Sequence, residues 1–300
     1  MCVHIFKRTC VNALLIPEIN NIPGKIIVNV LNLIGFGCVL EIIKMNCPSL
    51  IPETVLTGFI CNELQEKPFI FYTISGAHLY GFPSSDSDYD IRGCHILDKR
   101  EVCGISVQKD VIERMEGEID FVSFDIRKEL GLILQNNSNV LEHVFARPFV
   151  SGPAFPALKK IAGRSLSRAV YNPYHGLAFH NWKNRAGSKT PTGDGGSVKR
   201  YLYIMRSLMA GIVALDSGRI EPNIHELNRH FRYSLVDEFV RIKMEGCEHG
   251  LVEHIEDADI LITQLFCDLE VARENSPLPE KPPEEVFDLA NEFLLECREI

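Results

Sequence analysis

Asp88 and Asp90 stand one residue apart in "SSDSDYDIRG", directly after an apolar run and a glycine-rich turn. If this segment is a strand, positions i and i+2 project from one face, so both carboxylates address the same region of space. Two hard oxygen ligands there suit Mg²⁺, which prefers carboxylates, waters and substrate phosphates at about 2.0–2.1 Å. Without a cation the two would repel, and one would tend to keep its proton. Asp86, two residues earlier, reads instead as a turn-capping side chain.

Gly76 and Gly81 precede the aspartates. Glycine lets the backbone approach an anion closely, with amide groups turned toward it. A strand, a glycine turn able to hold phosphate, then Asp-x-Asp is a metal–triphosphate site in outline. A third carboxylate is expected from a neighbouring strand. Asp120 in "EIDFV" is the first choice and Asp125 in "SFDIR" the second. His78 and Tyr80 lie in the turn and serve either a nucleotide or the turn's own packing. Arg92 either neutralises phosphate or orients Asp88 or Asp90 through a salt bridge.

These side chains need a sheet to hold them. Residues 69–75, "FIFYTIS", are β-branched and aromatic and read as a buried strand. "YDIRGCHIL" (89–97) alternates as a strand with one functional face would, and "ISVQKDVIERMEGEIDFVSFDI" reads as strand, polar turn, strand. From Arg127 the spacing turns helical, and "NSNVLEHVF" restarts a helix behind Ser138 or Asn139 as cap. Beyond 150 the chain reads as helices with polar connections, among them a glycine-rich loop at 186–197. A Pro-rich linker, "SPLPEKPPEE", precedes a last amphipathic helix ending near Arg298. The expected fold class is α+β: a mixed sheet with flanking helices over 45–150, then a helical domain over 151–300.

Composition narrows the partners. The net charge of −9 argues against wholesale nucleic-acid binding. Between Arg147 and Arg206, however, eleven Lys or Arg face one acid, Asp194, a balance of about +10. Such a segment is either a polyanion-binding surface or a solvated helix face. None of the ten cysteines forms a Cys-x-x-Cys pair, which points to reduced, mostly buried thiols and a cytoplasmic protein. Residues 1–44 are an uncertain extension. They read as upstream sequence ahead of Met45 as natural start, as a buried helix or strand pair, or as a membrane segment. Asn29, Asn32 and Glu41 interrupt its apolar run, so no membrane association is expected.

Three other motifs fail. "HELNRH" (225–230) lacks the i, i+4 histidines of a zinc protease, and "GSKTPTGDGGSVK" lacks the Gly-Lys-Ser/Thr ending of a P-loop. Trp182, near His180, Lys183 and Arg185, fits a core position better than a base-stacking one.

"SGAHLYGFPSSDSDYDIRG" resembles the signature of the DNA polymerase β nucleotidyltransferase superfamily: an apolar residue, Gly, then Ser or Gly, a spacer, and Asp-x-Asp. More narrowly it is similar to the RNA-repair-associated RlaP group, with its Gly-Ser-x-x-Tyr-Gly and Ser-Asp-Ile-Asp-x-Arg-Gly. The similarity continues at "VSFDIRKELGLILQNNSNVLEHVF", "SVKRYLYIMRSLMAGIVALDSG" and "SPLPEKPPEEV", over about 70–290. It implies a polymerase-β-like fold, Mg²⁺ or Mn²⁺ on Asp88, Asp90 and Asp120, and an NTP substrate. It also implies a phosphate turn at Gly76 and Ala77, with Lys199 and Arg206 contributing from a later helix. Seven residues apart, those two share a helix face. One position departs: Ala77 stands where the superfamily has Ser or Gly. A hydroxyl lost from a charged group costs roughly 1.5–3 kcal/mol unless Ser75, Ser84 or Ser85 compensates.

The implied chemistry is two-metal nucleotidyl transfer to an acceptor hydroxyl, with Asp120 as candidate base and Lys199, Arg206 and Arg92 neutralising phosphate charge. RNA or another nucleic acid is the expected acceptor, reached through the basic 147–206 segment. The alternatives are AMPylation-type transfer to a protein or small molecule, and a non-catalytic nucleotide sensor.

Overall fold

The computed structural model describes residues 53–64, 67–85, 87–106, 108–184, 197–246 and 255–299. The expectations placed on residues 1–44 and Met45, on Asp86 and on the loop at 186–196 lie outside them.

Helix α1 (Glu53–Leu64) leads into strand β1 (Phe69–Ile74), a five-residue helix α2 (Gly76–Tyr80) and strand β2 (Tyr89–His95). A short α3 (Lys99–Cys103) precedes the hairpin of β3 (Val111–Glu116) and β4 (Ile119–Asp125). Helices α4 (Ile126–Leu134) and α5 (Ser138–Phe145) follow, then the two-residue strand β5 (Val150–Ser151). The strands form one mixed sheet in the order β3-β4-β2-β1-β5. Only β2 and β4 are parallel.

The two sheet faces have different covers. Tyr72, Tyr89, Ile91, Ile119 and Phe121 pack against Leu56, Phe59, Ile60 and Leu64 of α1. The other face supplies Ile70, Phe71 and Cys94 to a cluster that continues through the helical half. Because strand side chains alternate, Asp90 and Arg92 of β2 and Asp120 of β4 fall on this second face. One end of the sheet there carries polar groups and the rest carries core. The expected alternation of 89–97 is therefore observed.

Helix α4 is capped by Asp125, whose side chain accepts from Arg127 N at 3.0 Å. α5 is capped by Asn137, which accepts from Val140 N at 3.2 Å. The cap expected at Ser138 or Asn139 thus sits one or two residues earlier, because Asn137 can turn its carbonyl onto the third helical amide.

The later helices are α6 (Phe155–Ser165), α7 (Tyr171–Asn184), α8 (Val198–Ser217), α9 (Ile224–Phe231), α10 (Ser234–Met244), α11 (Ile255–Asn275) and α12 (Glu284–Glu299). α8 is the hub, buried from Ile204 through Leu215 without interruption. The Pro-rich segment before α12 is pinned by Arg168, which donates to Ser276 O at 2.8 Å and Leu278 O at 3.1 Å. A single buried cluster joins both halves of the chain. Among the described residues no helix is long and apolar enough to cross a membrane. The cysteine expectation needs correction: of the five described, all free, Cys61, Cys103 and Cys267 are exposed and only Cys94 and Cys297 buried.

Candidate active site

Asp90 and Asp120 are direct register partners on the parallel strands β2 and β4. Neighbouring strands lie about 4.8 Å apart, so the carboxylates are brought side by side. Between them lies Arg92. Its Nη2 donates to Asp90 Oδ1 at 2.7 Å and to Asp120 Oδ2 at 2.6 Å. Its Nη1 is anchored on the main chain, at Ile91 O (3.0 Å) and Asp120 O (2.6 Å). Burial raises the Asp90 carboxyl above its ordinary range, a shift that Arg92 opposes and Asp120 and Asp88 reinforce.

Gly76 packs onto this carboxylate. Its φ is +61°, and a Cβ added there would lie 1.9 Å from Asp90 Oδ2. The residue before it, Ser75, donates its amide to Asp90 O at 2.7 Å. Ser75 Oγ pairs with His143 Nε2 at 2.8 Å. Burial, with Arg92's charge adding to it, pushes His143 down to about 3, so the imidazole is neutral around pH 7. The head of the glycine turn is thereby tied to β2 on one side and to α5 on the other.

His78 stacks on Tyr89, ring centroids 4.4 Å apart at 21°. Burial lowers its pKa, which a backbone contact at Ser87 partly offsets. That arrangement favours the turn-packing role over nucleotide contact. Ala77 is buried in the main cluster. Of the hydroxyls suggested as substitutes for it, Ser75 is engaged by His143, and Ser84 by Ser87 and Lys243. Ser85 is exposed.

Asp88 lies exposed immediately ahead of β2. Among the described residues no group of three His, Cys, Asp or Glu side chains is arranged to hold a metal ion. Asp90 and Asp120, two of the three expected ligands, are register partners, and Asp88 lies just ahead of β2 with its charge acting on Asp90. The pair itself suits a divalent cation: one guanidinium nitrogen already lies within 2.7 Å of an oxygen from each. Asp125, the second choice for a third carboxylate, is committed elsewhere. It is buried, caps α4, accepts from Leu97 N at 3.0 Å and pairs with Arg298.

Lys199 and Arg206 part company. Lys199 is exposed in the first turn of α8. Arg206 is 0 % exposed, with Nη1 2.8 Å from Glu142 Oε1 and its guanidinium carbon 3.7 Å from the Tyr80 ring centroid. Enclosed in this way it has no surface to offer a phosphate. It instead braces Tyr80 at the end of α2. Its Nε and Nη2, with Glu142 Oε2 and Tyr174 Oη, are buried without a hydrogen-bond partner among the described residues. Trp182 is half-buried against the core beside Phe266.

Three arginines of the basic segment pair with acidic side chains, two of them at the surface and Arg206 in the interior. Arg164 pairs with Glu285 at 2.6 Å, Arg168 with Glu280 at 3.7 Å and Arg206 with Glu142.

Two residues far along the chain hold the loop between turn and aspartates. Lys243 of α10 is buried and reaches Ser84 Oγ. His225 Nε2 lies 2.8 Å from Gly81 O. Their separation from the turn by some 150 positions left no local signal.

Comparison with known proteins decides the family. Residues 60–296 match the model of the RNA repair pathway DNA polymerase beta family, RlaP. The chain belongs to this family. It is 34% identical over 161 residues to an uncharacterised protein of Methanocaldococcus jannaschii, covering 51% of this chain and 63% of that protein. It is 30% identical over 159 residues to the uncharacterised protein YcgL of Bacillus subtilis, covering 51% and 59%. The chain thus matches less than two thirds of the length of these curated relatives. Membership in RlaP agrees with the mixed sheet and helical second half, and it suggests nucleotidyl transfer.

Proposed function

We propose that this RlaP protein is a metal-dependent nucleotidyltransferase that moves a nucleoside monophosphate from an NTP to an acceptor hydroxyl, on RNA or another nucleic acid. The observation that carries this reading is the in-register Asp90–Asp120 pair beside Gly76. In it, Asp90 and Asp120 would hold Mg²⁺ or Mn²⁺, with Asp88 joining from the strand's edge. When bound, the cation supplies charge neutralisation at the triphosphate and acidifies the acceptor hydroxyl.

The chain's own residues do the rest. Gly76 and Ala77 present the turn to the phosphates. Ser75 and His143 fix that turn. Arg92 sets the spacing of the two carboxylates, and Lys199 is the candidate cation for the triphosphate. The acceptor oxygen bonds to the α-phosphorus as the bond to pyrophosphate breaks. Pyrophosphate leaves with that electron pair, and the hydroxyl proton passes to Asp120.

Pairing of Arg164, Arg168 and Arg206 with acidic side chains favours a second reading, in which the acceptor is a protein or small molecule. Incubation with labelled NTPs, Mg²⁺ or Mn²⁺ and candidate acceptors tests both. The wild type should label an acceptor that the Asp90→Ala variant leaves unlabelled, and equal labelling by the two would overturn the site.

A further inference from the structure

A cavity of about 510 Å³ lies at the corner between α9 and α10, lined by His225, Asn228, Arg229, Arg232, Ser234 and Asp237. Every one of these side chains carries a polar group, two of them guanidinium, so the cavity offers charge and hydrogen bonds to a ligand. The corner is braced. Buried Asn228 donates to Tyr233 O at 3.0 Å and Asp237 Oδ1 at 2.9 Å, and accepts from Tyr233 N at 2.9 Å.

Arg232 ends α9 at φ +61°, the left-handed conformation that glycine or asparagine ordinarily fills. Among the described residues no hydrogen bond, ion pair or ring engages its guanidinium. A long cationic side chain held where the backbone favours glycine points to a use for that side chain. Arg229 adds a second guanidinium, 74% exposed and steadied by Glu226 at 2.6 Å. Asp237 keeps Oδ2 for a donor, since Asn228 takes Oδ1.

One lining residue ties the cavity to the glycine turn. His225, on its wall, bonds Gly81 O, and Gly81 closes α2, whose first residue Gly76 abuts Asp90.

We propose that this cavity binds a phosphorylated ribose, with Arg232 and Arg229 on the phosphate and Asp237 accepting from a sugar hydroxyl. As a subsite for the acceptor it rests on the nucleotidyl-transfer reading; as a binding site it stands apart from it. Ribose 5-phosphate and a short 5′-phosphorylated RNA, titrated calorimetrically into the full chain and its Arg232→Gly variant, test it. Glycine suits the left-handed position, so the variant should melt no lower than wild type while losing at least tenfold in affinity. Loss for both probes identifies the sugar phosphate as sufficient, and loss for RNA alone identifies a strand as the source. Equal binding by wild type and variant, or no binding of either probe at millimolar concentration, overturns the proposal. Mn²⁺ titration of the same proteins separates the two readings. If no form binds Mn²⁺ through Asp90 and Asp120 but Arg232→Gly still loses ribose phosphate, nucleotidyl transfer fails and the cavity site stands.

Discussion

Gly76 and Asp90 are in a contact that only glycine permits, because a Cβ on residue 76 would lie 1.9 Å from Asp90 Oδ2. The backbone adds a second constraint, since φ there is +61°. Gly76→Ala should cost about 1–2 kcal/mol for the left-handed residue and displace the Asp90 carboxylate as well. Gly81→Ala, strained at φ +90° but against Asn223, is the control. Both should lower the melting temperature, and only Gly76→Ala should cut Mn²⁺ affinity tenfold or more. An equal effect on Mn²⁺ would remove the special standing of Gly76.

Asp90 and Asp120 share one guanidinium nitrogen of Arg92. Replacing either with Asn removes half of the anionic pair and leaves the strand register intact. Divalent-cation binding by calorimetry should fall by more than tenfold in each variant. The double variant should do little further damage, as expected of ligands acting as a unit. Asp125→Asn, by contrast, should lower stability through the α4 cap and Arg298 while leaving cation binding alone.

Arg206 and Glu142 form a buried ion pair, 0 % and 1 % exposed. Arg206→Met alone should destabilise by about 3–5 kcal/mol, because it strands the Glu142 charge. Adding Glu142→Gln should recover a large part of that loss in a chemical-denaturation cycle. If Arg206→Met unfolds no more easily than wild type yet weakens NTP binding, the direct phosphate role is restored.

Glu129 is 2 % exposed, and burial pushes its carboxyl up from 4.5 to about 8. Its folded pKa is raised, so the folded protein holds a proton that the unfolded chain releases. Stability from this group is complete below about pH 4.5 and is lost as pH rises through 8. Glu129→Gln keeps the shape without the charge. Its advantage over wild type should be negligible at pH 4, grow across neutrality and level off above pH 8, reaching on the order of a few kcal/mol. Parallel melting curves at pH 4 and pH 9 would contradict the assignment.

Much of the candidate site was legible locally. Gly76 and Asp90 are separated by fewer than twenty residues, so turn composition and period-2 alternation expose them directly. Asp120 was reachable because its strand alternates equally clearly, although pairing with β2 had to be assumed. Arg92 was left open between phosphate and carboxylate. Its two main-chain anchors exist only once β2 and β4 lie side by side. Lys199 and Arg206 share a helix face in projection, yet one is exposed and the other enclosed. A helical period says which residues align and not what later packs over them.

By itself the sequence determined the α+β class, the glycine turn, the Asp-x-Asp motif and the resemblance to RlaP, because each is written in neighbouring residues. The tertiary structure alone decided that Asp90 and Asp120 meet across β2 and β4 with Arg92 between them. It also decided that Arg206 serves Glu142, that acidic partners pair with part of the basic segment, and that Lys243 and His225 hold the loop after the glycine turn. Those outcomes depend on contacts between segments up to 159 positions apart, for which a local pattern carries no energy term.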